Sequence, residues 1–270
     1  MTATLDPRSP IGVFDSGVGG LTVVRALMER LPFENIVYFG DTARVPYGVK
    51  SPETIAHYTT QIAEFLLERQ VKVLIIACNT MAAVAAQAVR DLSPTPVLDV
   101  IEAGAQAALN ATHNHKIGVI GTPTTINSNA YTRAIHSGKE PIRLYAQACA
   151  LLVPLVEEGW LDHPVTRLAA QEYLKPLLAE GIDSLVLGCT HYPLLKPLLQ
   201  EVAGPGVALV DSADAMAEQT AQLLSKLGLA NPDRNSPRYD FYVTDVPLRF
   251  QTIGERFLGR ALPHVHLIKW

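Results

Sequence analysis

The sequence is short of the features that mark several large classes of protein. Its 270 residues include only three cysteines and no Cys-x-x-Cys pair, which argues against a structural zinc site. The most apolar run, residues 71–89, is interrupted by Lys72 and by polar side chains, unlike a membrane span. The opening residues, MTATLDPRSP, lack the apolar region of a signal peptide. The 22 basic and 26 acidic residues are mixed along the chain, which disfavours a nucleic-acid surface.

These deficits together predict a protein of a reducing, cytoplasmic compartment with free thiols. We expect no bound metal, no nucleic-acid partner and no membrane partner.

What the chain does have is enough apolar sequence to build a large core. Hydrophobic residues make up 48% and charged residues 18% of the chain. Short Val-, Ile- and Leu-rich runs without strict alternation separate helix-length amphipathic segments, a pattern typical of parallel sheets covered on both faces. The sequence therefore predicts an α/β fold. The predicted strands cover residues 11–15, 36–40, 73–77, 97–100, 117–121, 142–146, 184–188 and 207–211, and a helix is predicted from Ser51-Pro52 to about Arg69.

A weak internal repeat divides this pattern into two halves. Residues 11–15 (IGVFD) open one half, and residues 117–121 (IGVIG) open the other. The spacing from Ile11 to Cys78 is nearly the same as the spacing from Ile117 to Cys189. The repeat predicts two related α/β units, each with a cysteine at the carboxyl end of a strand, where open α/β sheets bind ligands.

Cys78 and Cys189 are the strongest candidates for chemistry. Free cysteines are often small core residues, but each of these is predicted beside a helix N-terminus, where the helix dipole favours a thiolate. Each is also followed by side chains that can hold a polar ligand, Asn79-Thr80 and Thr190-His191. Cys149, in an apolar segment, is predicted to be a core residue.

His191 is the most informative of the eight histidines, because it lies two residues from Cys189. A histidine in that place can raise the thiolate content of the cysteine or relay protons. The pairs His113/His115 and His264/His266 have a metal-like spacing, but no cysteine or carboxylate cluster accompanies them. We interpret these pairs as loop or strand-face residues.

Three loops are predicted at the same edge of the sheets. The glycine-rich residues 15–20 follow the first strand, but the third glycine of a dinucleotide fingerprint is replaced by Thr22, which favours a smaller anion such as a carboxylate. Asp15 is interpreted as either a capping residue or a partner of a substrate ammonium group. Tyr47 and Gly48 lie in the loop after the second strand. Residues 121–125, rich in hydroxyls, are interpreted as the equivalent of that second loop in the other half.

Two thiols from related units fit a reaction whose two steps are mirror images, such as racemisation of an amino acid. The α-hydrogen must leave one face of the carbon and return on the other. A single base bound to the protein does not easily reach both faces, whereas two acid/base groups on opposite sides of the substrate do. An unperturbed thiol has a pKa of about 8.5, so its setting must enlarge the thiolate fraction. The site must also stabilise the developing carbanion with hydrogen-bond donors aimed at the carboxylate.

At these residues the sequence resembles the glutamate racemases of the aspartate/glutamate racemase superfamily. The similarity runs from about residue 10 to about residue 227 and more weakly beyond. One departure is Val45, where many relatives have a cysteine. The segments that carry the resemblance are 11–21 (IGVFDSGVGGL), 40–44 (GDTAR), 46–48 (PYG), 77–80 (ACNT) and 188–193 (GCTHYP).

The resemblance implies two pseudo-symmetric α/β domains with the active site at their interface and no pyridoxal phosphate or other cofactor. It implies a discontinuous first domain, 1–98 plus 211–270 with a disordered-like tail at 1–9, and a second domain, 99–210. It also implies a cytoplasmic homodimer that supplies D-glutamate for peptidoglycan, and so for cell-wall biogenesis and cell shape. Cys78 and Cys189 would be the proton donor and acceptor, assisted by Asp15 and His191. The substrate glutamate would contact Asp15, Ser16, Tyr47, Gly48, Asn79, Thr80, Thr122, Thr125, Thr190 and His191.

Other functions remain open at this point. The nearest is another racemase of the superfamily, for aspartate or hydantoin, although Thr190-His191 beside the second cysteine favours glutamate. A dithiol redox protein and a carboxylate-binding protein without chemistry are further alternatives. A pyridoxal-dependent racemase is disfavoured, because no lysine lies in a comparable ligand-lined strand end.

Overall fold

The chain alternates strands and helices through most of its length. The computed structural model describes residues 5–136, 141–262 and 265–270, and within these ranges no helix is long and apolar enough to cross a membrane. The strands are β1 Ile11–Asp15, β2 Ile36–Gly40, β3 Val73–Ile76, β4 Val97–Asp99, β5 Lys116–Gly121, β6 Arg143–Ala148, β7 Ser184–Gly188, β8 Ala208–Asp211, β9 Tyr239–Val243 and β10 Val265–Leu267. The α-helices are α1 Leu21–Arg30, α2 Pro52–Leu67, α3 Asn79–Leu92, α4 Val100–Ala111, α5 Pro123–Asn127, α6 Ala130–His136, α7 Leu152–Glu157, α8 Pro164–Ala179, α9 Lys196–Ala203, α10 Ser212–Leu227 and α11 Pro247–Leu258.

The strands form two separate sheets with the same internal order. The first sheet has the order β10-β9-β2-β1-β3-β4, and the second has the order β6-β5-β7-β8. The paired strands are parallel in both sheets. The order 2-1-3-4 of the first half therefore recurs as 6-5-7-8 in the second, so that β3 corresponds to β7. This confirms the predicted α/β fold with parallel sheets.

All eight predicted strands are present, with ends that differ by no more than two residues. The central strands β1, β2, β3 and β7 are buried at every residue, which explains why continuous apolar runs identified them. The sequence pattern does not predict strands β9 and β10. Strand β9 carries Asp240 among aromatic residues and is only partly buried, and β10 is a three-residue strand at the edge of the sheet.

The crossover helices begin where the sequence predicts them. The Ser51 side chain accepts a hydrogen bond from the Thr54 backbone N–H at 3.3 Å, with Pro52 as the first residue of α2. The helix ends at Leu67, two residues before the predicted end. Helix α10 follows β8 and returns the chain from the second sheet to the first, packing against α1 and α4 on the way.

Residues 5–9, part of the tail predicted to be disordered-like, are held by contacts with the rest of the fold. The fully buried Lys72 ammonium donates to the Pro7 carbonyl at 2.5 Å and also pairs with Glu34. Leu5 packs on the core. The predicted disorder therefore does not extend over residues 5–9, while residues 1–4 and His264 lie outside the described residues.

Candidate active site

A cavity of about 280 Å³ brings the two cysteines together at the carboxyl ends of the two sheets. This volume is close to the lower end of the usual range for ligand pockets, roughly 300–1,000 Å³, and so suits a small metabolite. A larger groove of about 640 Å³ between α3, α4 and α6 has neither cysteine nor histidine in its lining. The lining of the smaller cavity is Ser16, Gly17, Val18, Val45, Pro46, Tyr47, Gly48, Val49, Cys78, Asn79, Thr80, Thr122, Pro123, Ala150, Val153, Pro154, Glu157, Cys189, Thr190 and His191.

Cys78 caps the N-terminus of α3, two residues after β3 ends. The helix is 14 residues long, so its dipole points at the sulfur, as the sequence predicts. The thiol lies 3.5 Å from the Ser16 hydroxyl. Burial, followed by the negative charge of Asp15, raises the pKa of Cys78 to about 12, and hydrogen bonds from Met81 and Ser16 only partly offset this. Cys78 therefore carries its proton at neutral pH, and the larger thiolate fraction expected from the sequence is wrong for this residue, because burial outweighs the helix dipole.

Cys189 directly follows β7, in the place that matches Cys78 in the repeat. The predicted helix N-terminus beside it is wrong in detail. A short 3₁₀ helix, Tyr192–Leu195, follows instead, with His191 as its capping residue, and α9 begins only at Lys196. Pro193 stands in the first turn of the 3₁₀ helix. Its ring fixes φ and removes one backbone donor.

His191 connects Cys189 to a carboxylate that the sequence did not reveal. Its Nδ1 lies 3.9 Å from the Cys189 sulfur, and its Nε2 lies 3.0 Å from Glu157 Oε1 on α7. Burial opposes protonation of the ring, but the hydrogen bonds to Cys189 and Glu157 outweigh it and raise the pKa of His191 to about 10. The same hydrogen bond lowers the pKa of Glu157. The imidazole of His191 is therefore protonated at neutral pH, with one ring nitrogen facing the Cys189 sulfur and the other facing the Glu157 carboxylate.

Asp15 lies behind the cavity wall rather than in it. The side chain is fully buried, and its Oδ2 accepts the Gly17 backbone N–H at 2.9 Å. Its Oδ1 lies 3.5 Å from the Thr190 hydroxyl. Asp15 thus orders the glycine-rich loop as a capping residue would, and it also places a negative charge next to Cys78.

The glycine-rich loop meets the second half of the protein at Gly19. A Cβ on this residue would overlap Thr190 Oγ1 and come within 2.7 Å of His191 Nδ1. Only glycine therefore allows the loop to approach Thr190 and His191 this closely. Thr22, which replaces the third fingerprint glycine, donates from its hydroxyl to the Thr190 carbonyl at 3.3 Å.

Tyr47 and Gly48 form another side of the cavity. The Tyr47 hydroxyl donates to the buried Asp41 carboxylate, while its ring stays nearly covered. Burial, and then the charge of Asp41, raise the pKa of Tyr47, so the phenol stays protonated. The Gly48 carbonyl accepts the Thr124 hydroxyl at 2.7 Å, which joins this loop to the second half of the chain.

A cluster of three hydroxyls connects α3 to the loop after β5. Thr122 Oγ1 lies 3.0 Å from both Thr80 Oγ1 and Thr125 Oγ1. Thr80 and Thr122 line the cavity, whereas Thr125 lies behind them. The predicted equivalence of residues 121–125 to the Tyr47 loop is wrong: β5 corresponds to β1, so this segment is the counterpart of the glycine-rich loop.

Asn79 offers the cavity an unused donor. Its Oδ1 accepts the Tyr131 hydroxyl at 2.7 Å, which fixes the orientation of the amide. Asn79 lines the cavity, and its buried Nδ2 has no hydrogen-bond partner within the described ranges. A buried donor of this kind is costly unless a ligand accepts its hydrogen bond. Asn79 therefore suits a ligand with a carboxylate.

One group of lining residues that sequence reasoning missed lies on or next to α7. Glu157, Ala150, Val153 and Pro154 line the cavity although no motif surrounds them. Glu157 reaches His191 only because the chain folds back, since 34 residues separate the two. Cys149 behaves as predicted: it is fully buried, and its thiol lies 3.5 Å from the Gln147 carbonyl. His113 and His115 are exposed on a loop, as expected.

Comparison with known proteins agrees with this architecture over nearly the full chain. The sequence profile of the Asp/Glu/hydantoin racemase family matches residues 11–220. The chain is 74% identical over 260 residues to a glutamate racemase of Syntrophus aciditrophicus, covering 96% of each chain. It is 64% identical to a glutamate racemase of Neisseria meningitidis, covering 97% of each. Among solved structures, it is similar to the glutamate racemase of Francisella tularensis in complex with D-glutamate, with a TM-score of 0.91, 44% identity and coverage of 97% and 98%.

Proposed function

Because this chain belongs to the Asp/Glu/hydantoin racemase family, we infer that it interconverts L-glutamate and D-glutamate without pyridoxal phosphate. Relatives named as glutamate racemases match the chain nearly end to end, at 74%, 64% and 48% identity. The cavity suits this substrate in size and in its supply of hydrogen-bond donors. The enzyme is therefore an isomerase, and the aspartate or hydantoin alternative is not favoured.

We propose that Cys78 and Cys189 are the two acid/base groups of the reaction. The observation that carries this proposal is that both sulfurs line one cavity, from equivalent places at the ends of β3 and β7. In one direction, the Cys189 thiolate takes the α-proton and the Cys78 thiol returns a proton to the other face of the carbon. In the other direction the roles reverse. The raised pKa of Cys78 matches its role as proton donor in the first direction.

The assisting residues act through these two sulfurs. The charged His191 ring lies 3.9 Å from Cys189 and places a positive charge beside the sulfur that takes the α-proton in the first direction, while Glu157 keeps the ring oriented and charged. Asp15 disfavours the thiolate of Cys78 by its negative charge. The sulfur therefore becomes a stronger base once it has lost its proton. This raises the driving force for taking up the next proton.

The polar lining would hold the substrate and stabilise the carbanion. We assign contacts with the α-carboxylate to donors that face the cavity from both sheets: Ser16, Asn79, Thr80, Thr122, Thr190 and the backbone N–H groups at the start of α3. Donors fixed before the reaction stabilise developing charge most effectively, because they need no reorganisation. Tyr47 and Gly48 complete the wall, and Thr125 supports Thr122 from behind.

We propose a cytoplasmic homodimer that supplies D-glutamate for peptidoglycan and so for cell-wall biogenesis and cell shape. The proposed domains are 1–98 plus 211–270 and 99–210. Sheet membership supports this division, because the first sheet takes its strands from residues 11–99 and 239–267 and the second from residues 116–211.

The test is a racemisation assay on the purified protein, freed of metals and cofactors by chelation and dialysis. We expect optical activity of L-glutamate to disappear, aspartate and hydantoins to react far more slowly, and Cys78→Ala and Cys189→Ala each to abolish turnover. Cys149→Ala is the matched control, because that thiol is buried outside the cavity lining and its loss leaves both proposed bases in place. Persistent racemisation in either active-site variant would refute the two-cysteine mechanism. Activity that requires an added oxidant would favour the dithiol redox alternative.

A further inference from the structure

We propose that Trp270 and Arg44 are positioning residues that hold Tyr47 and its loop against the substrate, an inference that rests on the proposed function. Trp270 lies far from the sulfurs in sequence and lines no part of the cavity. A chain of contacts nevertheless connects its ring to the cavity wall through Arg44 and Asp41.

The first contact joins the Trp270 ring to the Arg44 guanidinium. Arg44 Cζ lies 5.3 Å from the centre of that ring and 4.0 Å from the centre of the Tyr58 ring. Both distances are within the range of cation–π attraction. The Nη1 of Arg44 donates to Gln61 at 2.7 Å, but its buried Nη2 has no hydrogen-bond partner within the described ranges. The Tyr58 and Trp270 rings therefore stabilise a guanidinium whose hydrogen bonds are incomplete within the described residues.

The second contact joins Arg44 to Asp41. Arg44 Nε donates to Asp41 Oδ2 at 2.6 Å, with the Arg44 side chain 17% exposed and the Asp41 side chain fully buried. The other oxygen, Oδ1, accepts the Thr244 hydroxyl at 2.8 Å. The buried Asp41 carboxylate is therefore paired with a cation on one oxygen and hydrogen-bonded to a hydroxyl on the other, as a buried carboxylate requires.

The third contact joins Asp41 to the cavity wall. The Tyr47 hydroxyl donates to the same Oδ2 atom that Arg44 holds, and the Tyr47 ring packs 5.9 Å from the Tyr58 ring. A shift of Arg44 thus changes the acceptor of Tyr47, whose loop carries Gly48 into the cavity lining. The position of Tyr47 and Gly48 in the cavity wall therefore depends on the stacking of Arg44 on the aromatic rings.

Trp270 keeps water away from this arrangement. Its ring packs on Phe39 at 5.5 Å and on Phe65 at 5.9 Å, and 49% of the residue stays exposed. Truncation of the ring would open the Arg44–Asp41 pair to solvent, where ion pairs contribute little to holding a geometry. The sulfurs and His191 are not part of the chain of contacts. Loss of Trp270 should therefore weaken substrate binding and leave the proton transfers nearly intact.

The experiment compares Trp270→Ala, Trp270→Phe and the matched control Leu267→Ala. Leu267 lies on β10 in the same terminal segment and is 47% exposed, close to the exposure of Trp270. We expect Trp270→Ala to raise KM for glutamate about five-fold or more, the order of effect of one partly desolvated cation–π contact, with kcat within about two-fold. Trp270→Phe should recover most of the affinity, because it restores an aromatic face. Leu267→Ala should leave both constants unchanged.

An unchanged KM in Trp270→Ala, or an equal rise in the Leu267→Ala control, would overturn the inference. A second readout does not depend on turnover. The chain has two tryptophans, so Trp160→Phe leaves Trp270 as the single emitter. Its fluorescence should change on saturation with D-glutamate, and a flat titration in protein shown by calorimetry to bind D-glutamate would count against the coupling. An inactive wild-type enzyme would refute the proposed function instead, while the fluorescence titration would still decide the coupling.

Discussion

Replacement of Glu157 by glutamine isolates the charge that holds His191 in its protonated form. Glutamine keeps the size and the acceptor oxygen that lies 3.0 Å from His191 Nε2, but it removes the negative charge. The pKa of His191 is raised from 6.5 to about 10 by two partners, Cys189 and Glu157, against the effect of burial. Because 34% of the Glu157 side chain is exposed, solvent screens its share. We therefore expect the charge of Glu157 to stabilise the protonated ring by only on the order of 1 kcal/mol.

The sign of the effect follows from the direction of this shift. A raised pKa stabilises the fold fully below about pH 6.5, and this contribution is lost as the pH rises to about 10. Glu157, whose pKa is lowered, must also be ionised, so the contribution of the pair fades in acid. At pH 7, Glu157→Gln should therefore lower the free energy of unfolding, measured by urea titration, by about 1 kcal/mol. Above pH 10 the variant and the wild type should have the same free energy of unfolding.

Activity should report the same change. If His191 must be protonated to serve Cys189, the alkaline fall of kcat/KM in the wild type follows the pKa near 10. In Glu157→Gln this fall should begin about one pH unit lower. The assay is the pH profile of circular dichroism loss for L-glutamate, with Glu158→Gln, the exposed neighbour, as control. An alkaline limb that does not move would refute the role given to this pair.

Three further substitutions test other parts of the structure. Gly19→Ala places a methyl group against Thr190 and His191, so we expect the free energy of unfolding in urea to fall by about 1–3 kcal/mol and kcat to fall clearly. Wild-type values for both would contradict the close approach. Cys149→Ala should cost about 1–2 kcal/mol of stability by leaving a small cavity and change kcat/KM less than about two-fold, whereas inactivation would make it part of the site. Lys72→Met leaves Glu34 buried without its cation, and it should lower the free energy of unfolding by about 3–5 kcal/mol. The Lys72→Met/Glu34→Gln double variant should recover part of this loss, and equal stability of the single and double variants would contradict the reasoning.

The parts of the fold that the sequence predicts are those in which burial is continuous along the chain. Strands β1 and β7 are buried at every position, as expected for strands of a sheet covered on both faces. The sequence therefore predicts the first and last residues of both strands correctly. Strand β9, with Asp240 between Tyr239 and Phe241, does not carry that signal, because its burial is only partial. Its place beside β2 depends on pairing between segments near opposite ends of the chain.

The candidate site shows the same division. Cys78 and Cys189 are predictable because each follows an apolar strand and is itself followed in sequence by polar residues. The internal repeat also places the two cysteines at equivalent positions. Glu157 is not predictable, because only the tertiary fold brings α7 to His191. Nor does any local pattern place the Trp270 ring over Arg44, since Trp270 is the last residue of the sequence and Arg44 follows the second strand.

The most direct test of the central claim follows deuterium during the first few per cent of turnover of L-glutamate in D₂O. If Cys78 and Cys189 work on opposite faces of the substrate, the D-glutamate formed carries α-deuterium while the remaining L-glutamate keeps its protium. The reaction from D-glutamate should give the mirror-image result. Deuterium that enters the remaining L-glutamate as fast as D-glutamate forms would mean that one group serves both faces, and the two-cysteine account would be wrong.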